Sequence, residues 1–397
     1  MDQLFLKSVP ILELIEKAGF EAYFVGGSVR DYILGSPIND VDIATSATPQ
    51  EIKRIFPKTA DIGIDHGTVL VITDSGTYEI TTFRTESDYS DFRRPDSVQF
   101  VRSLTEDLQR RDFTMNAMAM DKSGNIIDPF NGRHDLAEKR IITVGNPHER
   151  FHEDALRMMR ALRFVSQLDF ELDQESFDSL KENAQIISEI AVERILVEFE
   201  KLLTGINKKR AFSLLLESGL YQYLPQFSSK KDHLGKLLNL PLHQLKATEI
   251  WSIIMVHTSD QDMEAALRAW KLPLKTIRNV KRIVQLVKKE PSFENSTIDV
   301  FQAGQGIIVQ AAKVKAALTG GNVTDAEENA YHLYNGLIIK EMSDLAVKGT
   351  DLLNWHQEKP GPWVKEYLEI ILKAVLNEEL RNDKEEIKRW LEKCNLS

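Results

Sequence analysis

Two aspartates one residue apart, Asp40 and Asp42, follow the turn sequence Gly26-Gly27-Ser28 with eleven residues between. Side chains one residue apart on a strand point to the same face, because a strand alternates faces. Two carboxylates on one face repel unless a cation sits between them. A hard divalent ion such as Mg²⁺ takes carboxylate oxygens and keeps positions open for substrate phosphates. The Gly-Gly-Ser turn allows close approach of the backbone to a phosphate, since glycine has no Cβ. Arg30 follows on a short expected helix, within reach of the same anion. A lone Asp-X-Asp is usually a solvated turn, and a lone Gly-Gly is usually only a turn. Their combination at this spacing points to metal-assisted phosphate chemistry.

The elements that must position these residues follow from the patterns around them. Residues 1–22 have helical apolar spacing, with Gly19 as the stop. A short strand at 23–26 leads into the glycine turn, and a second at 40–44 carries both aspartates. Thr48-Pro49-Gln50-Glu51 opens a helix, with Thr48 as N-cap and proline in the first turn. The β-rich runs 68–74 and 77–84 flank Ser75-Gly76, a hairpin signal. Glu79 lies in the second run and would close a three-carboxylate site with Asp40 and Asp42; an exposed strand glutamate is the plainer reading.

Residues 87–96, SDYSDFRRPD, are polar and aromatic with no period, and read as a loop that could lie over a site. In 106–120, Arg110 and Arg111 precede Asp112. An arginine here can clasp a triphosphate bidentately, but a solvated helix start fits the fragment equally. From Phe151 the chain reads as helical to its end. In 151–165, Ala155, Met159, Leu162 and Val165 form an apolar stripe. Asp154, Arg157, Arg160 and Arg163 recur every third residue, so neighbouring members meet on the i,i+3 surface. A salt-bridged solvent face is the usual reading of such a run, while three arginines with only two nearby acids leave excess positive charge that suits a phosphate or base ligand. Lys271, Lys275, Arg278, Arg282 and Lys289 form a basic stripe opposite Leu274, Ile277, Val284 and Val287. That pattern suits an RNA backbone or a solvated face. Lys359-Pro360-Gly361-Pro362 breaks the chain before a final helical pair.

Composition narrows the function classes. The 397 residues are 42% hydrophobic and 28% charged, an ordinary globular balance with room for two to four domains. A net charge of −10 argues against indiscriminate nucleic-acid coating. Yet 13 Lys/Arg stand against 11 Asp/Glu between Arg93 and Arg163, while the whole chain has 50 against 60. A locally basic cleft on an acidic protein suits a specific polyanion. No signal peptide and no bilayer-length apolar run is evident. The one cysteine, Cys394, excludes an intramolecular disulfide and a CxxC zinc site, and a cytoplasmic location is expected.

GGSVRD, DVDIAT, RRDFTMNA, DPFNGRHDL and FHEDALRMMRALRF occur here in order, with GTDLL and KPGPWVKEYLEIILKAV further on. Together they resemble the bacterial tRNA nucleotidyltransferases that add CCA, of the eubacterial/eukaryotic class of the polymerase-β superfamily. The resemblance implies an α/β nucleotidyltransferase head, a mixed sheet flanked by helices, followed by all-α neck, body and tail. The expected boundaries are 1–138, 139–204, 205–290 and 291–397, the last binding tRNA. It implies that Asp40 and Asp42 hold catalytic Mg²⁺, with Glu79, and that Gly27, Arg30, Arg111, Arg160 and Arg163 contact the nucleotide. Asp154 and Arg157 match the pair that reads the incoming base. The implied partners are the tRNA 3′ end, CTP and ATP, with no membrane; a homodimer is compatible with the sequence. A poly(A) polymerase, or a relative restricted to CC or to A, is the alternative. A non-enzymatic RNA-binding protein built on the same head is the rival of another class, and retention of Asp40, Asp42 and Glu79 speaks against it. The only His-Asp dipeptide is His134-Asp135, within the head motifs, so no HD phosphohydrolase activity is expected.

Overall fold

The computed structural model describes residues 1–63, 67–86, 98–258, 262–356 and 359–394, so the expected loop at 87–96 lies outside the described residues. The chain divides by compactness into Met1–Lys231 and Asp232–Ser397.

The first unit opens with α1 (Gln3–Lys17), capped by the Asp2 carboxylate accepting from Leu4 N–H and burying Phe5, Ile11, Leu12 and Ile15 on one face. It packs on a seven-stranded mixed sheet. The strands are β1 (Ala22–Val25), β2 (Asp42–Thr45), β3 (Thr59–Gly63), β4 (Thr68–Thr73) and β5 (Gly76–Thr82). A separate pair, β6 (Arg84–Glu86) with β7 (Val98–Phe100), precedes the sheet's last strands, β8 (Ala119–Met120) and β9 (Ile126–Ile127). The order is β3-β4-β5-β2-β1-β8-β9. Within this sheet's described residues only β2 and β5 pair in parallel; β4 and β5 make the expected hairpin. Their β-branched residues suit a pleated, half-buried surface.

Helices α2 (Gly27–Ile33) and α3 (Pro49–Ile55) flank the sheet. α3 starts in a reciprocal capping box between Thr48 and Glu51. α4 (Leu104–Gln109) adds Leu104 and Leu108 to a core with Val25, Ala44, Phe83 and Val144. α5 (Gly132–Ala137) follows.

The stretch 151–165 is not one helix. α6 (Pro147–Glu153) stops, Asp154 is extended at φ −140 and ψ 104, and α7 (Leu156–Leu168) begins anew. Asp154 Oδ1 accepts the Leu156 N–H at 3.0 Å, a side-chain bond that competes with the helical ladder. The expected apolar stripe is correct: Ala155, Met159, Leu162 and Val165 are fully buried. The expectation of helix from Phe151 onward needs a second correction, since β10 (Arg140–Ile141) and β11 (Glu171–Leu172) pair in parallel. Then come α8 (Gln174–Asn183), α9 (Val192–Thr204) and α10 (Lys208–Glu217), with α9 and α10 packed on α7. Gly205 ends α9 so close to α7 that a Cβ there would meet Ser166 at 2.1 Å.

The second unit is helical. It comprises α11 (Lys231–Gly235), α12 (Ala247–Thr258), α13 (Met263–Ala269), α14 (Leu274–Val287) and α15 (Thr297–Ala303), then α16 (Gln305–Thr319) and α17 (Val323–Asn335). α18 (Gly349–His356), α19 (Pro362–Leu376) and α20 (Lys384–Lys393) complete it. Trp251 and Trp270, both fully buried, meet edge to face at 5.1 Å. Around α19, Ile371 and Val375 pack with Leu352, Ile387 and Leu391. α14 buries Ile277, Val280, Ile283 and Val284, but Leu274, expected on that apolar face, is 53% exposed at the helix start. No described helix is long and apolar enough to cross a membrane.

Candidate active site

A cleft of about 680 Å³ opens between the sheet and α7, and nine of the ten residues singled out from sequence line it. These are Gly27, Arg30, Asp40, Asp42, Arg111, Asp154, Arg157, Arg160 and Arg163; Glu79 is the exception.

One wall is acidic. β1 and β2 run antiparallel with Val25 opposite Asp42, so the glycine turn and the aspartates emerge at the same sheet end. β2 begins at Asp42 rather than at residue 40, so Asp40 precedes the strand, yet both carboxylates face the cleft. Ile43 stands opposite Ile80 in the parallel pairing, which puts Glu79 one step back beside Asp42. Glu79 is exposed. Burial, then the negative charges of Asp40 and Glu79, push the Asp42 carboxyl up; Arg111 partly opposes them. Crowded carboxylates of this kind are the donor set of a hard divalent cation. Among the described residues no three His, Cys, Asp or Glu side chains converge as a ready-made metal site. The aspartates would therefore share an ion with phosphate or water oxygens, as Mg²⁺ sites do.

Gly26 joins the two walls. Its φ of +72 favours glycine, and a Cβ there would stand 3.1 Å from Arg111 Nη1 and 3.7 Å from Asp42 Oδ2. Arg111 Nη2 donates to Asp107 at 3.1 Å, while its buried Nε has no hydrogen-bond partner among the described residues.

The other wall is cationic and tightly organised. Arg30 Nη1 donates to Asn116 Oδ1 at 2.8 Å, and Asn116 Nδ2 donates to Asp112 at 3.0 Å. Asp112 also receives Arg160 Nε at 2.8 Å and Nη2 at 2.5 Å. Burial pushes the Asp112 carboxyl up, but Arg160, the Asn116 amide and Arg157 outweigh it and hold the group well below the carboxylate range. Arg163 Nε lies 2.7 Å from Glu198 Oε2, poorly aligned for a hydrogen bond, so the attraction is that of a charge pair. Burial and then Arg160 push Arg163 down to about 10, still cationic at neutral pH. Arg157 donates to Glu153 at 2.5 Å and to the carbonyls of Arg150 and Arg110 at 2.9 Å each. Asp154 Oδ2 accepts from Arg194 at 2.9 Å.

Sequence spacing therefore undercounted the acids near the α7 arginines: Asp112 and Glu198 arrive from distant segments. Asp112 and Asn116 lay inside the quoted RRDFTMNA, although their role was not legible there. Phe164, Arg194 and Glu198 carried no separate signal. Eight cationic side chains and four carboxylates still line the cleft, leaving it net positive. An excess of guanidinium beside an acidic pair suits a nucleoside triphosphate with divalent metal.

Residues 22–142 match the family described as Poly A polymerase head domain, and 169–231 match the probable RNA and SrmB-binding site of polymerase A. Residues 242–391 match the putative tRNA nucleotidyltransferase domain 2. A CCA-adding enzyme from a Geobacillus species is 46% identical over 398 residues, covering 100% of this chain and 98% of that protein. The chain belongs to the CCA-adding enzymes. It is accordingly a tRNA nucleotidyltransferase. The Listeria monocytogenes CCA-adding enzyme is also 46% identical, over 98% of this chain and 99% of that one. The crystal structure of the Bacillus stearothermophilus CCA-adding enzyme in complex with CTP aligns at TM-score 0.90 and 43% identity, over 100% and 98% of the two chains. The Thermotoga maritima CCA-adding enzyme complexed with tRNA shares the fold at TM-score 0.64 and 21% identity, over 100% and 97%.

Proposed function

We propose that this chain adds and repairs the 3′-terminal CCA of tRNA from CTP and ATP without a nucleic-acid template. The observation that carries this reading is the cleft in which Asp40 and Asp42 face a cluster of arginines, within a chain of this family. Arg30, Arg111, Arg160 and Arg163 hold the triphosphate, and Gly27 lets its backbone come close. The tRNA 3′-hydroxyl attacks the α-phosphate in line. The new bond is 3′-O to Pα, the bond broken joins Pα to its bridging oxygen, and pyrophosphate leaves as the hydroxyl proton is lost. Asp40 and Asp42, with Glu79 beside them, would hold Mg²⁺. When bound, two such ions lower the pKa of the attacking hydroxyl and stabilise charge on the leaving group.

Base choice rests on Asp154 and Arg157. Cytosine and adenine each offer an amino donor beside a ring-nitrogen acceptor; uracil and guanine offer the reverse. A carboxylate only accepts and a guanidinium only donates. C and A satisfy both groups, while U and G leave buried polar groups mismatched. Asp154 can accept a base amino group alongside its present partners, since a carboxylate has about four acceptor sites. Arg157 redirects one donor now given to Glu153 or a carbonyl. The chain works in the cytoplasm on this reading, and the divisions after residues 138, 204 and 290 remain our proposed segmentation.

The test uses purified protein, tRNAs ending before C, CC or CCA, and one NTP at a time, resolved on a sequencing gel. CTP should extend tRNA lacking CCA by two residues, and ATP should add one residue only after CC. A long A tail would instead make the chain a poly(A) polymerase, and loss of either step a restricted relative.

A further inference from the structure

Phe164 sits on α7 with 2% of its surface exposed, and it lines the cleft. Three guanidiniums gather over its ring: Arg163 at 4.0 Å from the centroid, Arg30 at 5.1 Å and Arg160 at 5.6 Å. Arg30 comes from α2, the other two from α7. An edge contact with Phe113, at 5.6 Å and 86°, holds the ring itself.

Three cations in so small a space repel one another, and the acids near them are shared. Glu198 lies 2.7 Å from Arg163 and 3.9 Å from Arg160. Asp112 takes Arg160, and Arg30 pairs with Asp31 at 2.8 Å. A further carboxylate would gather the arginines but cancel the field that binds an anion. An aromatic face attracts cations through its quadrupole and brings no negative charge. It also offers guanidiniums a flat surface on which to stack.

We propose that Phe164 is a positioning residue whose ring face holds Arg30, Arg160 and Arg163 as one preorganised cluster for the triphosphate. The inference rests on the nucleotide reading of this cleft given above, and it extends that reading to an aromatic residue that acts through the arginines. Because phosphates are common to both nucleotides, its effect is blind to the base. Preorganisation raises affinity by removing the cost of ordering the cluster on binding.

The test compares the wild type with Phe164→Leu, which keeps apolar bulk without a ring face, and Phe164→Tyr, which keeps the ring. Binding of inorganic tripolyphosphate in the presence of Mg²⁺ is measured by calorimetry, beside KM and kcat for CTP and ATP on matched tRNAs. Phe164→Leu should weaken tripolyphosphate binding and raise both KM values by about tenfold, and equally, while Phe164→Tyr stays within about twofold of wild type. Phe164→Met replaces the leucine variant should thermal melting show the latter unfolded. Wild-type affinity in a folded ringless variant overturns the proposal. So does a tyrosine variant as weak as the leucine one, or a change confined to one nucleotide. Failure of the wild type itself to bind tripolyphosphate would instead refute the nucleotide reading of the arginines, and the proposal with it.

Discussion

Asp154 and Arg194 are joined at 2.9 Å across forty residues of chain, so the carboxylate we propose as base reader is held from α9 at one oxygen and by the Leu156 N–H of α7 at the other. The extended backbone at Asp154 turns that carboxylate out of the helical surface on which Arg157 lies. Asp154 and Arg157 therefore reach the cleft from two separate helix ends, each anchored by different partners.

Asp154→Ala should lower C and A incorporation and narrow the preference over U and G. Loss of one matched buried hydrogen bond corresponds to about 1–3 kcal/mol, or about 5-fold to 150-fold in the CTP-to-UTP ratio. Residual activity is expected, because the acidic wall is untouched. Single-turnover kinetics with each NTP on tRNA lacking CCA measure the ratio; a full wild-type ratio would remove Asp154 from base reading.

Asp42→Ala, and separately Asp40→Ala, should depress C and A addition alike by about a thousandfold or more, given the several kcal/mol of charge stabilisation a bound metal supplies. tRNA affinity should stay near wild type. Near-normal incorporation by either variant would show that its carboxylate is not needed there.

Asp112→Asn should cost about 2 kcal/mol of stability. Broken buried pairs cost about 3–5 kcal/mol, but the Arg160 side chain is 32% exposed and water partly replaces the lost partner. The sign with pH follows from the lowered folded-state pKa. Asp112's contribution is fully present above the ordinary carboxylate value of 3.8 and is lost as pH falls below it. The difference in Tm between variant and wild type should thus be constant at neutral pH and shrink on acidification below about 4. A difference that grows as pH falls would contradict the assignment.

Lys275, Arg278 and Arg282 are exposed along one side of α14, whereas Lys281 is tied to Glu264 and Lys289 to Asp299. If the exposed three meet tRNA phosphates, their triple alanine variant should weaken tRNA binding. It should also flatten the slope of log affinity against log salt by about 2–3. Filter binding at four salt concentrations decides this, and an unchanged slope would leave the stripe as a solvated face.

Local rules made much of the molecule readable from sequence. The Thr48 capping box, the β4–β5 hairpin, the apolar stripe of α7 and the break before α19 each depend on residues a few positions apart. The Asp40–Asp42 pair and the glycine turn were legible as chemistry for the same reason, their type and spacing pointing to a metal and a phosphate, whereas the roles of the arginines came only from the family resemblance. Tertiary structure alone decided what those groups touch. Asp112 reaches Arg160 over 48 residues and Glu198 reaches Arg163 over 35, and no periodicity encodes such distances. Glu79 stands beside Asp42 only because β5 pairs in parallel with β2. The break at Asp154 was a local event that the apolar period concealed, because the buried stripe continues in register across it. Phe164 carried no signal in the sequence; that its buried ring also faces three guanidiniums is a consequence of how α2 and α7 pack, and packing is not written in either segment by itself.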